Sequence, residues 1–286
     1  MKTHLSWTLP ELLDAEFTLL SELVYREAGI HLGPAKKALV AGRLQRRLRE
    51  LKLASFADYH ARVLSDRTGA ERQVLLEAIC THETSFLREP QHFDLLERTL
   101  YPEWQRAAQA GRRPKRVRAW SAGCSTGEEP FSIAMSLRRH LPAAQGWQLE
   151  VLATDLSTRA LAAAERADWD EERTAQIPAA WREQFLVRGP GRLRAGDELR
   201  RLVRFAQLNL NAPLDASLGS FDLIFCRNVL IYFDGPSKTR VLQGLISRLH
   251  PAGHLFIGHA ETLNGFVPRM RPVAPTVYTF AAEGSR

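Results

Sequence analysis

The sequence has few cysteines and no long apolar run, and each lack excludes a class of protein. Its three cysteines, Cys80, Cys124 and Cys226, are odd in number and far apart, so they indicate neither a disulfide framework nor a metal-ligand cluster. We therefore expect a reducing, cytoplasmic setting and no bound metal. No window approaches about 18 uninterrupted apolar residues, and no apolar segment follows Met1, so neither membrane insertion nor secretion is expected.

The glycine-rich signatures of nucleotide-binding loops are also missing. The turn at 123–127 has only one glycine before its small residues, not a full G-x-G-x-x-G, and no G-x-x-x-x-G-K-[ST] occurs. The turn nevertheless follows an apolar strand and precedes a helix, whose N-terminal amides attract carboxylates or phosphates. A small-molecule ligand without a pyrophosphate therefore fits this corner better than a dinucleotide.

Positive charge is in excess, with a formal net charge of +7 over 286 residues. Such a charge favours an acidic partner, which is nucleic acid, an anionic membrane or an acidic protein. Charge alone does not choose among these three. The length suits one large domain or two smaller ones, so the division of the chain must come from its pattern.

The first part of the chain has helical periodicity and almost no strand pattern. We predict an N-terminal all-helical domain over residues 10–90, followed by a linker helix and a basic linker over 91–115. Its second helix, at about 34–53, carries several arginines on one side. This basic face is either solvated or a docking surface for an acidic helix or for phosphates, and the pattern leaves both open.

From residue 116 the pattern alternates between strands and helices. This predicts an α/β domain over 116–286, with a mostly parallel sheet covered by helices on both faces. The predicted strands are 117–120, 149–153, 202–210, 221–226, 254–257 and 273–280. One polar, basic segment does not fit the alternation, and we expect it to form a small inserted β-subdomain at about 170–205, with strands near 184–187 and 199–205.

Glu128 stands just after the small-residue turn and has two interpretations. It lies three positions after Ser125, as in a capping box. Pro130 disfavours this, because proline is tolerated only at the start of a helix and Pro130 would then lie too far inside. We therefore expect the helix to begin near Gly127 and Glu128 to lie at its mouth, free to contact a ligand.

Asp155 closes the second predicted strand. A carboxylate at that position accepts hydrogen bonds from the two hydroxyls of a ribose. The alternative is a cap for the next helix, a role that Ser157 or Thr158 can also fill. We favour the ribose contact.

Polar residues also follow the predicted strand 221–226. Arg227 and Asn228 stand at its carboxyl end, where side chains of open α/β sheets face the ligand crevice. Tyr232 and Phe233 come next in an aromatic turn and belong either to the site or to the core.

Together with the stretch 84–88, which is placed to close over the crevice, these patterns resemble the chemotaxis receptor methyltransferases, the CheR family. The matching stretches run in order over nearly the whole chain. They are T-H-E-T-S-F-L-R-E-P at 81–90, W-S-A-G-C-S-T-G-E-E-P at 120–130, A-T-D at 153–155, N-L at 209–210, F-C-R-N-V-L-I-Y-F-D at 225–234 and G-H-A-E at 258–261. The stretches S-T-G-E-E-P and F-C-R-N-V-L-I-Y-F are highly specific.

The resemblance implies a helical domain and a Rossmann-like methyltransferase domain with a small inserted β-subdomain. It implies an enzyme that transfers a methyl group from S-adenosylmethionine to glutamate side chains in the cytoplasmic helical region of chemoreceptors, for adaptation in chemosensory signalling. S-adenosylhomocysteine is the other product, and a monomer is expected. The cofactor contacts that it implies are His82, Thr84, Arg88, Gly123, Glu128, Asp155, Asn209, Leu210, Arg227 and Asn228. Its receptor-docking helix matches the basic second helix, with Arg43, Arg46 and Arg49.

Two positions depart from the family's pattern. His82 stands where the family usually has asparagine, which puts that cofactor contact in doubt. The β-subdomain, which clasps a C-terminal receptor peptide in the family, usually has a longer glycine-containing loop than 188–194 here. We therefore expect no pentapeptide tether.

The roles expected from this resemblance follow from the chemistry of the acceptor. A glutamate is already ionised at neutral pH, so alignment matters more than acid–base help. Arg88 is expected to orient the attacking carboxylate and Tyr232 to position a reactant through its hydroxyl.

A nucleic-acid methyltransferase is the first alternative, and we expect no nucleic-acid partner because no N-P-P-[YF] follows the fourth strand. A non-catalytic cofactor-binding scaffold is the second, and the intact Asp155, Arg227, Asn228 and Tyr232 disfavour it.

Overall fold

The computed structural model describes residues 10–281, which divide into two compact units. The first unit contains the described residues up to Thr81 together with Tyr232–Asp234. The second contains His82–Ile231 and the described residues from Gly235 onward. The boundary therefore falls after residue 81, earlier than the expected 90.

The first unit is built from four helices, as the apolar periodicity predicts. They are α1 (Asp14–Ala28), α2 (Lys37–Leu51), α3 (Phe56–Ser65) and α4 (Ala70–Ile79). Ser55 caps α3 by accepting a hydrogen bond from the Asp58 backbone amide. The helices share an apolar core of fully buried side chains, which includes Val24, Val40, Leu44, Leu48, Phe56, Tyr59, Val63 and Leu75.

The segment expected to be a linker at 91–115 is instead mostly a packed part of the second unit. It forms α5 (Pro90–Leu95), a π-helical turn (Leu96–Leu100) and α6 (Tyr101–Gln109). Phe93, Leu96 and Leu100 belong to the same apolar core as the sheet strands. This packing explains why the unit begins at His82 and not after a free linker.

The second unit centres on a seven-stranded, mostly parallel sheet, which confirms the predicted α/β class. The strand order is β6-β2-β1-β7-β8-β10-β9, and all pairs are parallel except those that involve β10. The strands are β1 (Arg116–Ala122), β2 (Gln148–Asp155), β6 (Val203–Gln207), β7 (Phe221–Cys226), β8 (Leu249–Ile257), β9 (Met270–Ala274) and β10 (Val277–Phe280).

Three longer helices connect the parallel strands. They are α7 (Glu128–His140), α8 (Thr158–Arg166) and α11 (Gly235–Ser247). Each crossover is predicted by its apolar spacing, because each helix buries one face against the sheet. Among residues 10–281, no helix is long and apolar enough to cross a membrane.

The inserted subdomain is present, but its elements differ from those expected. A three-stranded antiparallel sheet of order β3-β5-β4 contains β3 (Asp168–Asp170), β4 (Leu186–Gly189) and β5 (Arg192–Ala195). Helix α9 (Ala179–Phe185) precedes β4. The expected strand 199–205 was wrong, because this stretch forms α10 (Asp197–Leu202) and then enters the main sheet as β6. Polar residues dominate the stretch 197–202, so the pattern of apolar and polar residues does not distinguish a short helix from a strand there.

The predicted last strand, 273–280, is also divided. A turn at Pro275 and Thr276 separates β9 from β10, and Thr276 has a positive φ of 59°. The two strands form an antiparallel pair, with Thr279 opposite Arg271. Pro275 is itself a turn signal, which the prediction of one continuous strand overlooked.

The carboxyl ends of four parallel strands meet at one edge of the sheet. These strands are β6, β2, β1 and β7, which end at Gln207, Asp155, Ala122 and Cys226. The chain runs from β1 to β2 on one side, while β7 pairs with β1 on the other. The crevice at such a reversal of strand order is where open α/β sheets bind ligands.

Candidate active site

The turn after β1 requires glycine for two separate reasons. Gly123 has φ +89° and Gly127 has φ +100°, a region that other residues rarely adopt. A Cβ atom on Gly123 would lie 2.5 Å from Cγ2 of Val229, which follows β7. Helix α7 begins after Gly127, so Pro130 is its third residue, as predicted. The turn thus brings the end of β1 close to the end of β7.

Asp155 connects this turn to the end of β2. Its Oδ2 accepts a hydrogen bond from the Ser125 amide at 2.8 Å, and its Oδ1 accepts one from the Ser157 amide at 2.9 Å. The cap of α8 is Ser157, whose Oγ accepts from the Ala160 amide at 3.1 Å. Asp155 is therefore not the helix cap. A carboxylate has about four acceptor positions, so two remain for ribose hydroxyls.

Glu128 is buried, which corrects the expectation that it lies open at the mouth. Its residue exposure is 0%. Its Oε2 accepts a hydrogen bond from Thr126 Oγ1 at 2.7 Å, and its Oε1 lies 3.0 Å from Nη2 of Arg173. That ion pair lacks hydrogen-bond alignment, so Oε1 has no donor among the described residues. The inserted subdomain covers this carboxylate, which sequence spacing did not indicate.

The ends of β6 and β7 supply amide side chains. Asn209 follows β6 and accepts a hydrogen bond from the Asn211 amide at 3.0 Å, while Leu210 beside it is half-buried. Asn228 follows β7 in a left-handed conformation with φ +58°. Its Oδ1 is buried and has no hydrogen-bond partner within residues 10–281. A buried amide oxygen of this kind is an acceptor available to a ligand.

Glu261 of the G-H-A-E stretch shapes the turn after β7, a role that was not predicted from the sequence. Its carboxylate accepts backbone hydrogen bonds from Gly258, from Asn228 at 3.0 Å and from Ile231 at 3.2 Å. Burial raises the pKa of Glu261, while these donors oppose the rise. A Cβ on Gly258 would lie 2.7 Å from Asn228 Nδ2. Glycine and glutamate in that stretch together hold Asn228 in place.

Arg227 lies inside a buried ionic network and does not face an open crevice. Its Nε donates to Glu89 Oε2 at 3.3 Å, its Nη2 donates to the Arg88 carbonyl, and its Nη1 lies 3.4 Å from Glu129 Oε2. Burial raises the pKa of Glu129, an effect that Arg227 opposes, and Ser121 Oγ donates to Glu129 at 2.6 Å. All three guanidinium nitrogens are engaged. The side chain of Arg227 therefore supports the residues around the site.

The stretch 82–89 is held against the same corner. The His82 carbonyl accepts a hydrogen bond from Ser125 Oγ at 2.9 Å, and His82 Nε2 lies 3.9 Å from Asp155 Oδ1. Glu89 has φ +56° and accepts a hydrogen bond from the His259 amide at 3.1 Å. Arg88 between these anchors is half-buried, and its Nη1 donates to the Glu83 carbonyl at 3.2 Å. Thr84 is also half-buried.

Two other groups of predicted residues belong to the first unit. Tyr232 accepts a backbone hydrogen bond from the His31 amide at 2.8 Å, and its catalytic role stays a prediction. Arg43 is not a free docking residue: its guanidinium donates to the Ala78, Ile79 and Cys80 carbonyls and caps the end of α4. Arg46 and Arg49 are exposed, and Arg46 forms an ion pair with Glu50 on the same helix.

The fold and the site together define a class of protein. The first unit is all-helical, and the second is a mostly parallel α/β unit with acidic and amide acceptors where the strand order reverses. This is the arrangement of a two-domain enzyme of the Rossmann-like methyltransferase class. Residues 82–279 match the profile described as CheR methyltransferase, SAM binding domain. Residues 15–80 match the profile described as CheR methyltransferase, all-alpha domain. The chain therefore belongs to the CheR methyltransferase family.

Curated relatives agree over nearly the whole chain. Chemotaxis protein methyltransferase 2 of Pseudomonas aeruginosa is 40% identical over 268 residues, which cover 92% of each chain. Chemotaxis protein methyltransferase of Escherichia coli (strain K12) is 37% identical and covers 95% of this chain and 93% of the relative. Among solved structures, the CcbJ methyltransferase from Streptomyces caelestis is 18% identical, covers 55% of this chain and 51% of its own, and has a TM-score of 0.32, too low to carry an argument.

The chain is thus a methyltransferase that uses S-adenosylmethionine, and the site fits this cofactor chemically. The buried acceptors at the corner are Asp155, Glu128 Oε1 and Asn228 Oδ1. Hydroxyl and ammonium groups are the donors that such oxygens need. These acceptors suit a cationic nucleoside and not a pyrophosphate.

Proposed function

We propose that this chain transfers methyl groups from S-adenosylmethionine to glutamate side chains of chemoreceptors and so adapts chemosensory signalling. The observation that carries the proposal is the placement of Asp155, Glu128 and Asn228 at or just after the carboxyl ends of the neighbouring strands β2, β1 and β7, in a chain of this family. These side chains come from three different connections of the sheet. Their placement along one edge of the sheet supports a single ligand that spans the corner.

The residues that would hold the cofactor follow from their placement. Asp155 would accept from the ribose hydroxyls, and Glu128 would bind a cationic group. Asn228 would accept through its buried Oδ1. Asn209 and Leu210, which follow β6, would border the same edge of the sheet. The stretch with His82, Thr84 and Arg88 would close the site. Arg227 would stabilise that stretch by donating a hydrogen bond to the Arg88 carbonyl.

The mechanism needs alignment more than proton transfer. The bound cofactor supplies an electrophilic methyl group on a sulfonium. A glutamate with a pKa near about 4.3 is ionised at neutral pH, so no general base is required. Correct orientation of two reactants can contribute roughly 7–11 kcal/mol to lowering the barrier. Arg88 would orient the acceptor carboxylate through a charge-assisted pair, and Tyr232 would position a reactant through its hydroxyl.

We infer that receptors bind to the exposed part of α2. Arg46 and Arg49 leave a positive surface there, which suits an acidic helix in the cytoplasmic region of a receptor. Only Pro190 and Gly191 separate β4 from β5 in the inserted subdomain. We therefore keep the proposal that receptors dock without a pentapeptide tether, to a monomeric enzyme. Calorimetry against receptor tail peptides tests it: no heat of binding is expected, and micromolar affinity would contradict it.

The activity is tested by transfer of labelled methyl groups from S-adenosylmethionine to receptor fragments and, in parallel, to RNA. Label is expected in the receptor fragment only, and mild alkali should release it as methanol, which marks a carboxyl ester. Label in RNA would favour a nucleic-acid methyltransferase. Cofactor binding without transfer to any receptor would favour a signalling scaffold.

A further inference from the structure

The inserted subdomain reaches the cofactor corner through the side chain of Arg173. This residue lies on the 3₁₀ helix Glu171–Thr174, between β3 and α9. Its Nη2 is 3.0 Å from Oε1 of Glu128, whose side chain is 1% exposed, whereas the Arg173 side chain is 47% exposed. One partner of this ion pair is thus fully enclosed and the other is half solvated.

The position of Arg173 is built into the packing around it. Trp169 in β3 packs edge-on against Phe131 at 5.2 Å and against Phe86 at 4.9 Å between ring centroids. Phe131 lies on α7 three residues after Glu128, so the indole anchors the subdomain beside the helix that carries the carboxylate. Thr174 is buried and donates to the Glu171 carbonyl at 2.8 Å. The packing of the 3₁₀ helix therefore helps to place Arg173 beside Glu128, in addition to the reach of the long arginine side chain.

The ion pair leaves Glu128 incompletely satisfied. No N–H group of Arg173 is aligned with Oε1, so this buried oxygen has a cation nearby but no hydrogen-bond donor within the described residues. A buried carboxylate needs both charge compensation and donors. A half-exposed guanidinium, by contrast, loses little when it leaves a pair, since water replaces the partner. An aligned ammonium group from a ligand would satisfy Glu128 better than Arg173 does.

We propose that Arg173 competes with the α-ammonium group of the cofactor for Glu128. In the free protein Arg173 neutralises the buried carboxylate; the cofactor displaces it on binding. This proposal rests on the proposed function, because it takes S-adenosylmethionine as the ligand. It makes Arg173 a residue that sets cofactor affinity, and it links occupancy of the corner to the 3₁₀ helix of the inserted subdomain.

The test is calorimetry on the full chain with two ligands. S-adenosylhomocysteine carries the α-ammonium group without the sulfonium, and methylthioadenosine carries neither. Arg173→Gln is expected to bind S-adenosylhomocysteine about threefold to tenfold more tightly than the wild type, and methylthioadenosine equally. Arg173→Lys, which retains a cation, should resemble the wild type.

A matched control removes the same charge elsewhere in the subdomain. Arg188 in β4 forms an ion pair with Glu171 at 3.2 Å and has an exposed side chain, so Arg188→Gln should leave both affinities unchanged. The competition would be overturned if Arg188→Gln bound S-adenosylhomocysteine as much more tightly as Arg173→Gln does. It would also be overturned if Arg173→Gln bound this ligand as weakly as the wild type or more weakly.

In an E128Q background, R173Q should lose its effect, because the two changes act on one pair. If the wild type binds no S-adenosylhomocysteine, the proposed function itself fails; if it binds and R173Q is unchanged, only the competition fails.

Discussion

At the scale of single residues, Arg88 is the side chain on which turnover is expected to depend most. Arg88→Ala should lower kcat by about tenfold to a hundredfold, because one charge-assisted contact to the acceptor carboxylate is lost. Within residues 10–281 its side chain makes a single hydrogen bond, to the Glu83 carbonyl, so the fold should survive. Methyl-transfer rates with a receptor fragment, alongside circular dichroism, provide the check. Full turnover in the folded variant would rule out this role.

Gly123 allows the cost of backbone strain to be separated from the cost of a steric contact. Gly123→Ala should destabilise the second unit by about 2–4 kcal/mol, since the new Cβ meets Val229 at a positive φ. Gly265 also has a positive φ, of 80°, but open space around it, so Gly265→Ala should cost only about 1 kcal/mol. Urea unfolding measures both. Equal losses in the two variants would contradict the close contact with Val229.

The sequence predicted which residues lie at the strand ends, but it often did not predict what those residues contact. Asp155 and Asn228 stand where any parallel strand would bring them to the ligand edge. Glu128 was correctly assigned to the start of α7, yet its burial was not predicted, and Arg173 of the inserted subdomain lies 3.0 Å from its Oε1. Such contacts join segments far apart in the chain, so local spacing does not reveal them.

At the scale of elements, helix α2 combines a structural arginine with exposed ones. Arg46→Glu together with Arg49→Glu should raise the KM for a receptor fragment by about tenfold with little change in kcat or thermal stability. Arg43→Ala is the contrasting variant: it should lower the stability of the first unit by about 1–3 kcal/mol, because carbonyls at the end of α4 lose their donor. Steady-state kinetics and thermal unfolding distinguish the two effects. An unchanged KM in the double variant would refute docking on this face.

Element types followed from periodicity wherever the element was long. The four helices of the first unit and the strands Arg116–Ala122, Gln148–Asp155 and Phe221–Cys226 have clear apolar patterns and were predicted correctly. The errors fall on short pieces, such as Asp197–Leu202. A helix of that length has fewer than two turns, so it shows no clear period, and its state is decided by packing.

At the scale of the second unit, buried histidines make stability depend on pH. Burial, together with the charges of Arg227 and His259, lowers the pKa of His92 to about 3. The unfolded chain therefore binds more protons below pH 6.5, and stability is lost as the pH falls. The loss assigned to His92 between about pH 7.5 and pH 5 is about 2 kcal/mol. His254, with its pKa lowered by burial to about 4, acts in the same direction.

Tryptophan fluorescence reports this loss mainly from the second unit, because five of the six tryptophans, Trp104, Trp120, Trp147, Trp169 and Trp181, lie in it. Urea unfolding at pH 7.5 and pH 5 should show a decrease about 2 kcal/mol larger in the wild type than in His92→Gln. Glutamine retains a nitrogen that can meet Thr276 Oγ1, the partner of His92 Nε2. Identical decreases in both proteins would mean that His92 does not titrate in this way.

The most direct test of the central claim is mass spectrometry of a receptor fragment after incubation with the full chain and S-adenosylmethionine. The account predicts peptides heavier by one methyl substitution on glutamate, lost after mild alkali and much reduced with the Arg88→Ala protein. Unmodified glutamates in the presence of bound cofactor, or methylation on another residue type, would contradict it.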